Sequence, residues 1–424
     1  MTDMPAPQPG ARRAAVIFIF ITVCIDIISF GIIIPVLPRL VTGFAGGDSA
    51  HGARVFGIFA TAWALAQFFA SPILGALSDR YGRRPVILLS CTGIGLDFIL
   101  MAMAPSLAWL FVGRVISGFT AANFSTASAY IADVTPPEKR AAAFGMLGVA
   151  FGVGFVIGPA IGGLLGAIDP HLPFWAGAVL ALINAAYGYF VLPESLAPEH
   201  RSPFSWRKAN PLGALKLLRS HTELMSMAGI NFLSQLAQVV YPTVMVLYMG
   251  NRYGWDARAI GMTLALVGVC SAIVQGGLTG PVVRHFGERR ALLFSLLIGI
   301  AGFLIFGLSP TGILFLCGIP VMALAGFANP AVQSLMTQRV LPSEQGLLQG
   351  ANAALIGIAG MIGPLLFSLT YAHFIDPRTV IHAPGAPFLL AAALMTVAAV
   401  VAWRATRADQ AADAGKIAPP AASG

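Results

Sequence analysis

The chain has 424 residues, of which 57% are hydrophobic and only 10% charged, with a formal net charge of +8 at pH 7. Soluble domains carry roughly 25% charged residues, so this composition excludes a soluble enzyme or binding module. The basic excess follows the loops and does not form a patch, which argues against a nucleic-acid surface.

A membrane helix needs about 20 apolar residues. Twelve stretches reach or approach that length: 14–37, 55–77, 86–104, 107–131, 141–166, 172–192, 223–248, 257–282, 291–308, 311–337, 346–371 and 385–404. Residues 1–13 are a short N-terminus ending in Arg12-Arg13, and the apolar run after them is too long for the core of a cleavable signal peptide. It is expected to stay as the first span. The 14–192 half and the 223–404 half each hold six spans, forming two six-helix bundles of an all-α membrane protein. Between them, 193–222 carries Pro193, Pro198, Pro203 and Pro211 with Arg201, Arg207, Lys208, Lys216 and Arg219, and reads as a cytoplasmic linker. Residues 405–424 are rich in Ala, Pro and Gly and read as a disordered cytoplasmic tail. The four cysteines fall within spans with no paired spacing, so neither disulfides nor a metal site is expected.

Of the 25 basic residues, only Arg39, Arg54, Arg252, Arg258 and Arg378 lie on one side of the predicted membrane, and Arg114 lies within it. All the others share the opposite side with both termini and the linker. The asymmetry places termini and linker in the cytoplasm.

A short motif occurs twice, at Gly75-Ala-Leu-Ser-Asp79-Arg80-Tyr-Gly82-Arg83-Arg84-Pro85 and Gly280-Pro-Val-Val-Arg284-His-Phe-Gly287-Glu-Arg289-Arg290, 205 residues apart. Gly158-Pro159 and Gly363-Pro364 repeat at the same offset, so the two halves are copies of one unit. In the first copy, Asp79 with Arg80, Gly82, Arg83 and Arg84 forms a tight basic turn, in which the acid could meet the positive end of a nearby helix. The second copy has Arg284 in place of that acid. The fifth span reads Gly148-x3-Gly152-x-Gly154-x3-Gly158-Pro159-x2-Gly162-Gly163, a small-residue pattern that lets helices approach closely.

Charges inside the bilayer are costly and are functional candidates by default. Asp26, Asp97 and Arg114 lie well inside spans. Asp97 precedes the turn at Pro105 and Arg114 follows it by nearly equal lengths, which puts both roughly 12 Å from that turn at 1.5 Å per residue. Asp26 also lies near the midplane. Competition between a proton, Arg114 and a substrate for these carboxyls would couple transport to a proton gradient, and a structural ion pair is the alternative. The equivalent positions of the second half are Asn231, Gly302 and Ile319, so the proton chemistry belongs to the first half. Polar candidates for a substrate cavity are Gln67, Asn123, Asn231, Gln235, Ser271, Asn329 and Gln333.

The loop motif at Gly75–Pro85, Gly113-Arg114-Val-Ile-Ser-Gly118, Tyr130-Ile-Ala-Asp133 and the fifth-span pattern through Gly162-Gly163 resemble the major facilitator superfamily. With Asp26, Pro35-Val-Leu-Pro38, Gln67 and Asp97, the chain looks like its twelve-helix drug/proton antiporters of the tetracycline-resistance type. The resemblance implies two six-helix bundles with alternating access. It implies transport roles for Asp26, Asp97 and Arg114, a cytoplasmic gate of Gly75, Asp79, Arg80, Gly82, Arg83, Arg84 and Asp133, and an antiporter motif of Gly154, Gly158, Pro159 and Gly162. Where that group has a histidine in the eighth helix and an acid in the ninth, this chain has Ser271 and Gly299.

The expected function is therefore proton-coupled export of a small amphipathic compound, a drug such as tetracycline or a related antibiotic. The alternative is proton-coupled uptake of an organic acid or sugar. The expected partners are substrate, protons and lipid, with no nucleic acid, cofactor, metal or ATP site. A monomer in the bacterial cytoplasmic (inner) membrane is expected, and no enzyme activity.

Overall fold

The computed structural model of the chain describes residues 9–121, 123–136, 139–206, 210–220, 222–341 and 344–417. Among the described residues there is no strand. The first half contains α1 (Pro9–Ile33), α2 (Leu37–Phe44), α3 (Ser49–Tyr81), α4 (Arg83–Ala102), α5 (Leu107–Thr120), α6 (Asn123–Val134), α7 (Arg140–Ile168) and α8 (Leu172–Val191). After a short α9 (Lys216–Ser220) come α10 (Thr222–Gln238), α11 (Val240–Tyr253), α12 (Ala257–Ile273), α13 (Thr279–Leu308), α14 (Gly312–Leu324), α15 (Ala328–Thr337), α16 (Gln345–Ile375) and α17 (Ala386–Ile417).

Eleven helical stretches among the described residues are long and apolar enough to cross a membrane. The number falls short of the twelve expected because the predicted runs 257–282 and 291–308 lie in one stretch, Ala257–Leu308, of 52 residues. It contains a π-helical turn at Val274–Leu278, inside the first of those runs, and it breaks between the two at Gly287, whose φ of 76° and ψ of 158° are not helical. Gly82, its counterpart in the first copy, has φ 108° and ψ 160°. Both copies of the motif thus bend at a left-handed glycine, a conformation closed to most side chains. The last helix continues to Ile417, past the end of its apolar run, through an alanine-rich segment that favours helix.

Large apolar side chains turn outward, among them Phe190 at 82% and Ile313 at 77% exposure, as a lipid-facing surface requires.

The chain divides into two compact units. Unit 1 comprises Met1–Pro211, Tyr241–Ala272 and Gly360–Pro384; unit 2 comprises Leu212–Val240, Ile273–Ala359 and Gly385–Gly424. The boundary therefore does not fall at the linker alone, because parts of α11, α12 and α16 pack with the first half.

In unit 1 the glycines of α7 explain this arrangement. A Cβ at Gly154 would strike Ile27, and one at Gly158 would lie 2.8 Å from the Gly31 Cα. One at Gly162 would drive into the Ile32 carbonyl. The next residue, Gly163, faces α12 instead, with a Cβ there 2.8 Å from the Gly261 Cα. So α7 lies against α1 on one side and α12 on the other, and each crossing is close enough to require glycine. Similarly, α3 meets α16 at Gly57, where a Cβ would lie 2.9 Å from the Ser368 hydroxyl. At the end of this contact Arg54 pairs with Asp376 at 3.1 Å.

Unit 2 is centred on α13, which packs against α14, α15 and α17, while α10 packs on α17. Phe303, Phe306, Phe315 and Phe388 are fully buried in its apolar interior.

Two outcomes follow from these contacts. Gly162→Ala overpacks the α1–α7 crossing and should destabilise by about 1–3 kcal/mol, whereas Gly148→Ala meets nothing within 4 Å and should be neutral; thermal melts of the purified protein compare them. The Arg378 N–H, and then the Arg54 guanidinium, hold the Asp376 carboxyl below the usual carboxylate range. A depressed carboxylate gives its stabilisation above its unfolded pKa and loses it only as pH falls through the folded value. A carbon-13 titration of Asp376 should therefore show no protonation between pH 7 and about 5.

Candidate functional site

The buried charges of unit 1 are set by close helix approach. On α5, Gly113 and Gly118 flank Arg114. A Cβ at Gly113 would sit 2.8 Å from Asp97 Oδ1 on α4, and one at Gly118 would sit 2.6 Å from the Trp63 carbonyl on α3. The two glycines let α5 come within backbone distance of α3 and bring it hard against Asp97 and Met101 of α4, which brings Asp97 and Arg114 together.

Asp97 is 1% exposed and Arg114 6%. The Arg114 guanidinium and the Ser117 hydroxyl lie beside the Asp97 carboxyl. Among the described residues, no hydrogen bond to either carboxylate oxygen closes within 3.5 Å, and Arg114 Nε and Nη1 have no hydrogen-bond partner. The carbon between the guanidinium nitrogens lies 5.2 Å from the centre of the Trp63 ring, a cation–π contact. Phe30 stacks on that ring at 5.8 Å. The structure thus holds an acid and a base as neighbours in a buried layer without closing them into a bonded pair. Asp26 is half-buried on α1.

The loop motif forms a second polar centre in unit 1. Arg83 Nε donates to Asp133 Oδ2 at 3.1 Å, and its Nη1 donates to Asp79 Oδ1 at 2.5 Å and to the Ser78 hydroxyl at 2.7 Å. Asp79 therefore meets the Arg83 side chain rather than the helix end suggested by the sequence. That helix end, the start of α4, is occupied by Glu194. Glu194 accepts from the backbone N–H groups of Arg83 at 2.8 Å and Arg84 at 3.2 Å, and from those of Ser195 and Leu196 at 3.0 Å each. A carboxylate here satisfies orphan donors and complements the helix dipole. It also explains Gly82, since a side chain there would collide with the Glu194 carboxylate.

Further contacts tie the start of the linker to the same centre. The Ser195 hydroxyl donates to Asp133 at 3.1 Å, the Tyr130 hydroxyl to the Pro193 carbonyl at 3.0 Å, and the Ser202 N–H to the Asp79 carbonyl at 3.0 Å. Arg84 donates to the Tyr189 carbonyl and lies over its ring at 5.7 Å, while Arg80 is exposed over Tyr81 at 5.1 Å. Gly75 has open space around it, on the wall of a cavity of about 340 Å³ shared with Asp79 and Arg83. Glu194 and Ser195 were missed from sequence; the only signal is an acid immediately after the sixth apolar run.

The second copy of the motif has a related contact in unit 2. Glu288, which takes the place of Arg83, accepts from the Ser334 hydroxyl at 2.8 Å and from Gln338 Nε2 at 2.9 Å. Gln338 takes the place of Asp133. The ionic clamp of the first copy is a carboxylate-to-neutral clamp in the second.

Among the neutral candidates, Gln67 donates to the Ala121 carbonyl at 3.4 Å. Asn123 opens α6, and its side chain lies outside the described residues. Ser271 belongs to unit 1 and Gln235 to unit 2, each half-buried. Asn231, Asn329 and Gln333 fall in unit 2, where Asn329 and Gln333 line a cavity of about 340 Å³ with Gln275, Thr279 and Pro330. Among the described residues no group of three or more His, Cys, Asp or Glu is placed to hold a metal ion.

The model of the Major Facilitator Superfamily matches residues 19–325 and 227–422. The chain belongs to this superfamily. Within it, the chain is 38% identical over 358 residues to the class C tetracycline resistance protein of Escherichia coli, covering 84% of this chain and 90% of that one. It is 33% identical to the class H protein of Pasteurella multocida, covering 92% and 96%. It is thus a multi-pass membrane transporter of the tetracycline-resistance group, not an enzyme. Solved structures share the fold: the human organic anion transporter MFSD10 has a TM-score of 0.69 at 24% identity, covering 93% of this chain and all of that one. The nucleoside transporter NupG has a TM-score of 0.74 at 15% identity, covering 92% and 99%.

The transporter's Glu194 provides a direct check. Glu194→Ala removes a charged helix cap and should cost about 1–2 kcal/mol, with Glu194→Gln costing less. Both should speed tryptic cleavage after Arg201; unchanged cleavage and melting in both variants would sink the capping role.

Proposed function

We propose that this transporter is a proton-coupled exporter of a small amphipathic drug, with tetracycline the first candidate. Support comes from the tetracycline resistance proteins it resembles over most of its length, and above all from Asp97 and Arg114. A charge in the bilayer core costs on the order of 3 kcal/mol even by insertion scales. Two buried charged groups that leave each other unbonded are costly as scaffolding, and make sense as groups whose partners change during a cycle.

On this reading Asp97 exchanges between Arg114 and a proton, and Asp26 serves the same cycle from α1. Arg114 is held ready by Trp63 while the carboxyl is neutral. Substrate release and proton uptake are linked because they draw on the same charges. The drive is the proton gradient, with no ATP or cofactor. The α7 crossings and the Arg54–Asp376 contact seal one end of unit 1, and the Asp79–Arg83–Asp133–Glu194 centre governs the other. Twelve crossings, cytoplasmic termini, two six-helix bundles and a monomer in the bacterial inner membrane complete the proposal.

Gradient-driven uptake of tetracycline into everted vesicles tests it. Asp97→Asn, Arg114→Ala and Asp26→Asn should each lower the rate by more than about tenfold at normal expression. Full transport in the Asp97 and Arg114 variants would overturn the assignment. A panel that includes chloramphenicol and ethidium identifies the substrate if tetracycline is not carried.

A further inference from the structure

The cavity in unit 2 differs in kind from the charged layer of unit 1. None of the residues lining it, Gln275, Thr279, Asn329, Pro330 and Gln333, is ionisable. Gln275 and Asn329 are exposed although both lie in helices long and apolar enough to span a membrane. Exposed carboxamides at that depth belong in a polar cavity, because lipid offers them no partner.

The backbone is shaped around this space. The π-helical turn Val274–Leu278 carries Gln275, and π-turns recur at functional sites. The Thr279 hydroxyl donates to the Val274 carbonyl at 3.0 Å and so supports the wide turn. Within the turn, a Cβ at Gly276 or Gly277 would meet nothing within 4 Å.

One wall of the cavity is held by buried amides. Asn231 and Asn352 are 2% and 1% exposed. Asn231 Nδ2 donates to Asn352 Oδ1 at 3.2 Å, and Asn352 Nδ2 donates to Gln333 Oε1 at 3.0 Å. The chain of donors occupies the Gln333 oxygen from behind. A carboxamide has one oxygen and two N–H donors; with its oxygen already accepting from Asn352, Gln333 has its two N–H donors to offer the cavity.

We infer that this cavity is the subsite for the neutral, carbonyl- or enol-bearing edge of the substrate, with Gln333 as donor and Asn352 and Asn231 as positioning residues. The inference rests on the export reading and narrows it. The C-terminal unit selects uncharged acceptor groups, while charge is handled by Asp97 and Arg114. A permanently cationic drug gains nothing here, since no carboxylate lines the space. The substrate class is thus a molecule that presents an uncharged edge of hydrogen-bond-accepting oxygens.

Equilibrium binding of tetracycline, chloramphenicol and ethidium to the full chain in nanodiscs tests this. The wild type should bind the two carbonyl-bearing probes more tightly than ethidium. Gln333→Ala and Asn352→Ala should each weaken those two by about tenfold, the worth of one buried hydrogen bond, and leave ethidium unchanged. Gln333→Glu, which replaces donors by a carboxylate, should weaken them further and strengthen ethidium. Melting temperatures identify variants that misfold, and Gln333→Glu reports independently of Asn352. Unchanged binding in Gln333→Ala, wild-type preference for ethidium, or no wild-type binding of any probe would overturn the subsite. Asp97→Asn run alongside separates the two readings: the binding pattern retained with proton-driven transport unaffected would sink the proton-coupling assignment and leave the subsite standing.

Discussion

Inside a bilayer a charged group must be paired, hydrated or put to use, and the polar architecture of this transporter follows from that constraint. Asp97 and Arg114 are nearly inaccessible, yet their hydrogen-bonding capacity is not filled by each other. An aromatic ring supports the guanidinium from the side. The neutral layer of unit 2 obeys the same constraint differently, with amides that satisfy one another in series from Asn231 to Gln333. The two units thus hold chemically different interiors.

Backbone proximity is the second organising element. Hydrocarbon gives helices little reason to associate, so contact has to come from close packing. The α7 glycines provide it on two faces at once, toward α1 and toward α12. The same principle positions the charges, since Gly113 and Gly118 bring α5 against its neighbours on either side of Arg114. Packing and chemistry are therefore not separable at this site: a methyl group at Gly113 would press on the Asp97 carboxylate itself.

Much of this was legible in the sequence, and the remainder was hidden for physical reasons. Apolar run length located the helices, and the 205-residue offset anticipated that Gly82 and Gly287 share a backbone conformation. Counting residues from the Pro105 turn placed Asp97 and Arg114 at one depth, and they are neighbours. Depth says nothing of azimuth, however, and the glycines that bring α5 against α4 were what made them so. The π turn at Val274–Leu278 was not foreseen because such a turn has no composition signal of its own. The Asn231–Asn352 contact joins residues 121 positions apart, and nothing local announces such a pairing. Glu194 was passed over because it follows the last apolar residue of its helix, where acids are ordinary.

Glu194 also changes what the linker is. Pro193, Glu194, Ser195 and Ser202 are bound to the first half by its own backbone and side chains, so the tether proper starts only after Ser202. If the transporter were expressed as two separate polypeptides, a break before Pro193 would strip the cap from α4 and leave the first fragment unfinished. A break beyond Ser202 would leave that fragment whole. The covalent midpoint of the gene and the mechanical midpoint of the protein are different places.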